Sequence, residues 1–503
     1  MTRTAKSLQG LVADQGANLV GMLSVFLATP ILIHRLGESD FGFWMAVMQL
    51  LGYSGLVDPG LGLQITRAVA GQGEGGKLRQ FLATAFYVQL GFALLFLAAG
   101  GGLGLVLEHA FSYPLGEQHT YRVTYLLAVG VGAVGVVTAY FLAILAGRQR
   151  LVATGVIGSL QQTVGLAVGT VAVWWGMGLL GLPIAYLLVV AAALALAFYF
   201  AGKHETRGSF RLAEAKVANL PALAGFSLYF QMTKVAFIVL TTAPSLVVAA
   251  LLGPAAVAVY VVTARLALTS GALVARAANV LYPGIAELMA EKNYEALRRV
   301  VINMQYTSAR VGCWMALVIL IVNETFVHLW VGPELYGGWL LTAAICGMIL
   351  RDAVIRSLGV FIFADGNMRA LGWLSLGEAA LTIALTWYFT RLFGLGGAAL
   401  GPFVSTITLL SPYIVWRVAR ILDIPPGRLL WLGVGRALLR SLLPGIALGA
   451  VAWLLPRTWG WGWIFGVGIA AMAANFVAFD LRTLWRTRDQ PYGRRLRALL
   501  EAR

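Results

Sequence analysis

The sequence predicts an all-α polytopic membrane protein of about fourteen transmembrane helices, built as two parallel six-helix repeats around a central cleft with two additional C-terminal helices. Three observations predict it. Of 503 residues, 59% are hydrophobic and 12% charged; a soluble protein is nearer half apolar and a quarter charged, so most of this chain must face lipid or other buried chain. Apolar stretches of about 20 residues, the length that crosses a bilayer as a helix, recur along the whole sequence. Polar residues inside those stretches also recur at a fixed offset of 216 positions, Gln89 to Gln305 among them.

The spans are read at 8–35, 41–69, 80–107, 121–146, 151–175, 178–201, 221–252, 255–288, 296–322, 336–364, 369–392, 396–420, 430–455 and 460–484. They are helices because backbone facing lipid must satisfy its own hydrogen bonds, and the runs are too continuous for the alternating strands of a barrel. The first twenty residues are basic and then polar, with no small-residue cleavage site, and do not read as a removable signal peptide. No connection between spans is long enough to fold into a separate domain.

Charge placement sets the orientation. With the amino terminus inside, the bulk of the 37 Lys+Arg falls on the cytoplasmic side, whereas Arg35, Arg122, Arg391 and Arg457 occupy outer loops. Lys234, Arg265, Arg276, Arg310, Arg351 and Arg356 are read as lying within spans. This is a positive-inside pattern, with both termini cytoplasmic. The organisation expected is an N-terminal lobe at 1–202, a cytoplasmic linker at 203–220, a C-terminal lobe at 221–422, two further spans at 423–485 and a basic tail at 486–503. That tail suits the anionic cytoplasmic leaflet better than nucleic acid.

Sliding the chain by 216 residues places span one on span seven and holds through span twelve. Leu36-Gly37 meets Leu252-Gly253, Gly178 and Gly181 meet Gly394 and Gly397, Gln15 meets Gln231, Asn18 meets Lys234, Gln49 meets Arg265, and Gln162 meets Glu378. Six spans per repeat leave both halves in the same orientation, related by a pseudo-twofold along the membrane normal.

Pro30-Ile-Leu-Ile-His-Arg-Leu-Gly37, the following Glu-Ser-Asp-Phe-Gly-Phe-Trp44, Asp58-Pro59-Gly60-Leu61 and Arg67-Ala-Val-Ala70 resemble the first two helices of the polysaccharide flippases. That family shares the multidrug/oligosaccharidyl-lipid/polysaccharide exporter superfamily with lipid II flippases and multidrug MATE exporters. The family's Asp-x-Gly-Leu break is Asp58-Pro59-Gly60-Leu61 here and carries a proline, and its Arg-x-Leu-Gly turn is Arg35-Leu36-Gly37. The resemblance implies a flippase of the bacterial inner membrane that moves a polyprenyl-pyrophosphate-linked oligosaccharide outward for cell-surface polysaccharide or lipopolysaccharide synthesis.

The residues read independently point to an anion. A charge at mid-membrane is costly unless it faces protein or water, so each is a functional candidate. At 1.5 Å per residue, Lys234 and Arg310 lie about 20 and 22 Å in from the inner ends of their spans, and Arg265 and Arg351 about 16 and 24 Å below the outer ends. These four are beyond the reach of snorkelling, whereas Arg276 and Arg356 lie near the cytoplasmic headgroups. Polar stripes at helical spacing accompany them: Ser227, Gln231, Lys234 and Thr241 on span seven; Asn303, Tyr306, Thr307 and Arg310 on span nine; Ser375, Glu378, Thr382 and Thr386 on span eleven. Lys234, Arg265, Arg310, Arg351, Gln49, Asn18, Gln231 and Arg276 are the candidate cleft residues. Guanidinium and ammonium suit a lipid pyrophosphate or an acidic sugar, and disfavour a cationic drug. Asp14, Asp58 and Glu378 are the acids that could couple a proton or sodium ion.

Plainer roles compete with these. Asp352 and Arg356 are spaced to neutralise each other, while Arg351 is adjacent to Asp352 and is expected to pair with it only poorly. Lys234 and Arg310 could be structural partners of Asp58 or Glu378, and Asp58 could cap backbone amides at its Pro-Gly break. Gly71 to Lys77 nearly spells a phosphate-binding loop, but Leu78 follows where Ser or Thr is needed. The histidines lack metal-ligand spacing, and Cys313 and Cys346 lie in apolar runs, so no cofactor, metal site or disulfide is expected. The expected partners are the lipid-linked glycan and membrane lipids, with the protein a monomer. A lipid II flippase and a MATE-type exporter are the alternatives within transport; a membrane glycan polymerase or ligase, an enzyme, would want a larger outer loop.

Overall fold

The computed structural model describes residues 3–54, 60–71, 76–110, 118–201, 211–220, 228–280, 282–365, 368–455 and 457–476. Among these residues the regular structure is helical: α1 (Arg3–Gly52), α2 (Leu61–Gly71), α3 (Gly76–Ala110), α4 (Gln118–Gly147), α5 (151–177), α6 (Gly181–Ala201), α7 (Leu228–Leu252), α8 (Pro254–Val280), α9 (Tyr282–Ala290), α10 (Tyr294–Trp330), α11 (Trp339–Asp365), α12 (Met368–Phe393), α13 (Leu395–Leu422), α14 (Pro426–Leu454) and α15 (Trp461–Asn475).

Ten stretches among the described residues are long and apolar enough to cross a membrane. Two of them join two helices across a break. Val20–Gly52 has 33 residues and Val152–Ala201 has 50, about 50 and 75 Å of helix against a hydrocarbon core of about 30 Å. Each is interrupted at glycine, the first at Gly37 (φ 80°, ψ 171°) and the second at Gly178 (φ 58°, ψ −153°). The residues 216 positions later adopt the same left-handed backbone. Gly253 has φ 87°, and Gly394 has φ 59°, ψ −138°. Both end a helix, the Gly253 amide donating to the Ala249 carbonyl at 3.2 Å and that of Gly394 to Thr390 at 2.9 Å. A side chain would be strained there, which is why glycine stands at all four turns.

The chain forms two compact units, one of Met1–Val261 with Leu371–Ile383 and the other of Val262–Ala370 with Ala384–Arg503. In the first, Leu61, Ile65 and Val69 of α2 recur at helical spacing and bury one face against Leu82, Tyr140, Ile144 and Ala197. In this unit residues 211–220, within the expected linker, are held to α3 where the Lys216 amide donates to Thr84 Oγ1 at 3.0 Å. In the second, Trp314 and Val322 of α10 pack with Leu448 and Ala452 of α14 and with Trp463 and Val467 of α15. The opposite faces of α14 and α15 expose Leu443, Ile446, Trp453, Phe465 and Met472, as a lipid-facing surface requires.

Candidate translocation site

The first unit brings three of the candidate-bearing helices together. The latter part of α1 lies alongside α7 and the start of α8 at glycine contacts. A Cβ on Gly42 would fall 1.8 Å from the Pro254 carbonyl oxygen, and one on Gly52 would fall 3.3 Å from Thr242. Tyr53, just past α1, shares a side-chain hydrogen bond with Thr242. Gln49 on α1 and Gln231 and Lys234 on α7 are half-buried. The start of α12 crosses the start of α7, where a Cβ on Gly372 would lie 3.0 Å from Tyr229 Cα. Glu378 follows on α12 and is 1% exposed; Ser375 and Thr382 are buried, as is Thr386 on the part of α12 that belongs to the second unit. The polar stripe read on span eleven therefore faces protein rather than lipid.

The second unit holds Arg265, Arg310 and Arg351. Arg265 is half-buried on α8, and Thr269, one turn on, donates its hydroxyl to the Arg265 carbonyl at 2.8 Å. Arg310 on α10 donates from Nε to Asn475 Oδ1 on α15 at 2.8 Å, and its Nη2 reaches the same oxygen. One turn earlier, the Tyr306 hydroxyl accepts from Arg440 of α14, whose guanidinium carbon stands 5.6 Å from the Tyr306 ring centre. Two members of the span-nine stripe are thus met by the two C-terminal helices.

Arg351 differs from expectation. Its Nε donates to Asp352 Oδ1 at 2.8 Å and its Nη2 to the same oxygen, while Nη1 donates to the Pro402 carbonyl at 2.8 Å and to Thr406 Oγ1 at 2.9 Å. Neighbours in a helix diverge by about 100°, which argued against an Arg351–Asp352 pair, but a guanidinium is long enough to fold back across that angle. The pair is buried on the arginine side, at 8% exposure. Arg351 joins α11 to α13 at a wide, π-type turn, Thr406–Leu410. The Arg356 side chain, and with it the Asp352–Arg356 pairing, lies outside the described residues, as do the side chains of Asp14, Asn18, Ser227, Arg276 and Asp58.

Sequence reasoning passed over Arg436 and Arg440. Both fall inside the 430–455 span, yet were grouped with the cytoplasmic charges; α14 runs from Pro426 to Leu454 and places Arg440 at its midpoint. Gln89 and Gln305 were noticed as matching columns, and their role is structural: both are buried and donate across to another helix.

These features define a multi-pass helical membrane protein whose fold is shared by lipid flippases and multidrug exporters. The chain is similar over 95% of its length to the lipid II flippase MurJ in an inward closed conformation, covering 99% of that chain with a TM-score of 0.71 at 12% identity. It is similar to an inward-facing multidrug resistance MATE transporter of the MOP superfamily over 80% of its length and 96% of that chain, with a TM-score of 0.61 at 14% identity. A MATE transporter of Vibrio cholerae gives a TM-score of 0.56 at 15% identity, over 84% and 98% of the two chains. A comparison with curated protein sequences found no match. Residues 8–289 match the model of the polysaccharide biosynthesis protein family, and the chain belongs to that family.

Proposed function

We propose that this protein is a flippase that carries a polyprenyl-pyrophosphate-linked oligosaccharide from the cytoplasmic to the outer leaflet of the bacterial inner membrane, by alternating access through a basic passage. The observation that carries this reading is the presence of cations within apolar helices, Lys234 on α7, Arg265 on α8 and Arg310 on α10. A cationic lining suits a pyrophosphate, which pairs with guanidinium through two parallel hydrogen bonds. The inside-negative potential favours outward passage of an anion by about 2.3 kcal/mol per charge per 100 mV. Membership of the polysaccharide biosynthesis family supports a sugar-bearing lipid over a drug. Glu378, buried on α12, is the candidate among the described residues for coupling a proton or sodium ion.

The test is translocation of lipid-linked glycan in a strain lacking the protein. Deletion is expected to trap the glycan on the inner leaflet, and the Arg265→Gln/Arg310→Gln double variant to restore less than a tenth of wild-type export. Full export by that variant would overturn the basic-passage mechanism. A second reading, a lipid II flippase, is favoured by one observation: the likeness to MurJ spans 95% of the chain, including the region of the two C-terminal helices, whereas the MATE likenesses reported above span 80% and 84%. Rescue of a strain depleted of its lipid II flippase separates the two.

A further inference from the structure

Arg440 is the middle residue of the 29-residue span Pro426–Leu454, about 21 Å of helix from either end. It is exposed, between the exposed Leu439 and a buried Ser441, at the rim of the seam where α14 packs on α10. The partner the structure gives it is a neutral phenol, Tyr306, to which it donates and over which it stacks. The 29-residue span is about 43 Å of helix against a hydrocarbon core of about 30 Å. With the span centred in the bilayer, a guanidinium at its middle is too far from either headgroup layer to snorkel. Arg428 and Arg436 are exposed on the same helix below it. Eight residues of regular helix would set Arg428 about 80° from Arg436 around the axis; the wide π turn at Trp431–Gly435 absorbs about one residue and reduces that to about 20°. The turn thus aligns Arg428, Arg436 and Arg440 into one stripe rising from the helix start to the middle of the span.

We infer that this stripe is a second anion path, with Arg440 and Tyr306 forming a midplane station for the pyrophosphate of a lipid in transit between leaflets. Resident phospholipid phosphates lie about 15 Å or more from the midplane, so a cation held there meets a phosphate only when one is crossing. Arg440 supplies the forked donor that a pyrophosphate accepts, and Tyr306 holds the fork at the seam. The inference rests on the proposed lipid-pyrophosphate substrate and adds to it a binding element formed by α14 and α10.

The test is binding of undecaprenyl pyrophosphate and of undecaprenol to the full-length protein, followed by native mass spectrometry. Arg440→Gln is expected to weaken the pyrophosphate lipid about tenfold and leave undecaprenol unchanged, with Arg440→Lys intermediate and the surface variant Arg299→Gln equal to wild type. Wild-type affinity in Arg440→Gln overturns the station and leaves the substrate reading standing. Equal loss of both lipids also overturns it, since that marks a packing defect. If the wild-type protein binds undecaprenol as tightly as the pyrophosphate lipid, the substrate reading fails and the station with it. Should Arg440→Gln not fold, Tyr306→Phe carries the comparison: a loss of about threefold confined to the pyrophosphate lipid supports the station, and no loss overturns it.

Discussion

The side-chain amide of Gln305 donates to the backbone carbonyl of Val354 at 2.7 Å, joining α10 to α11 in the interior of the second unit. Gln89, 216 positions earlier, does the same between α3 and α4, reaching the Val136 carbonyl at 2.8 Å. Gln305 also donates to Ser357 Oγ at 2.8 Å, and a Cβ on Gly433 of α14 would come within 2.7 Å of its side chain. Three helices are therefore fitted around one amide.

Gln305→Leu keeps the volume and removes both bonds. Interhelical hydrogen bonds in membrane proteins contribute about 0.6 kcal/mol each and up to about 1.7. The variant is expected to lose about 1–2 kcal/mol in thermal or denaturant unfolding in detergent. Ser357→Ala added to it should cost little more, because the two changes break one shared bond. Full additivity would show that the Gln305–Ser357 bond contributes nothing.

At Gly42 the argument is steric. A methyl group there would overlap the Pro254 carbonyl oxygen at 1.8 Å, and that atom belongs to backbone with no rotamer through which to yield. Gly42→Ala should force α1 and the start of α8 apart and cost about 1–3 kcal/mol or more, as overpacking does. Gly466, around which there is open space, is the control: Gly466→Ala should leave unfolding within about 0.5 kcal/mol of wild type or slightly stabilise α15.

Much of this arrangement was legible in the residues. The apolar runs located the helices, and the glycines at 37, 178, 253 and 394 marked where they turn. The spacing of Ser375, Glu378, Thr382 and Thr386 identified a face that is buried. Periodicity reports which residues share a face and says nothing of what that face meets. It showed that Tyr306 and Arg310 belong together, but could not supply Arg440 and Asn475, which come from helices more than a hundred residues away. Nor does a residue pattern reveal a π turn, which shifts every later side chain around the axis. The Arg428–Arg436–Arg440 stripe stayed hidden for that reason.

The loop between α10 and α11 yields a pH prediction. Asn323 donates to the Thr263 carbonyl at 3.0 Å and to Thr342 Oγ1 at 3.1 Å, and the Gly337 amide donates to Thr263 Oγ1 at 2.8 Å. Thr342 in turn donates to the Tyr336 hydroxyl at 3.3 Å. Burial pushes the Tyr336 phenol above its ordinary value of 10.0, with Glu324 and Cys346 adding to the rise and the Thr342 bond opposing it. A raised phenol means the folded state holds its proton more tightly than the unfolded chain. That stabilisation is complete below the unfolded value and is lost as pH rises through the folded one. The difference in melting temperature between wild type and Tyr336→Phe should be constant from pH 7 to about 9 and shrink above about 10. A difference independent of pH across that range would refute the assignment.

Arg351 separates bracing from substrate contact. Its four hydrogen bonds end on Asp352, Pro402 and Thr406, so the guanidinium is committed to holding α11 against the wide turn of α13. Breaking a fully buried pair costs about 3–5 kcal/mol; Asp352 retains 30% side-chain exposure, which moves Arg351→Gln toward or below the lower end of that range. Arg351→Lys keeps the charge and loses the fork, since an ammonium cannot reach the carboxylate, the carbonyl and the hydroxyl together, and should fall between. For a brace, unfolding temperature drops in the order wild type, Lys, Gln, while export per folded molecule stays near wild type. For a substrate contact, Arg351→Lys would stay as stable as wild type and export would fall. Measuring both quantities on the same preparations decides between them, and the geometry predicts the first outcome.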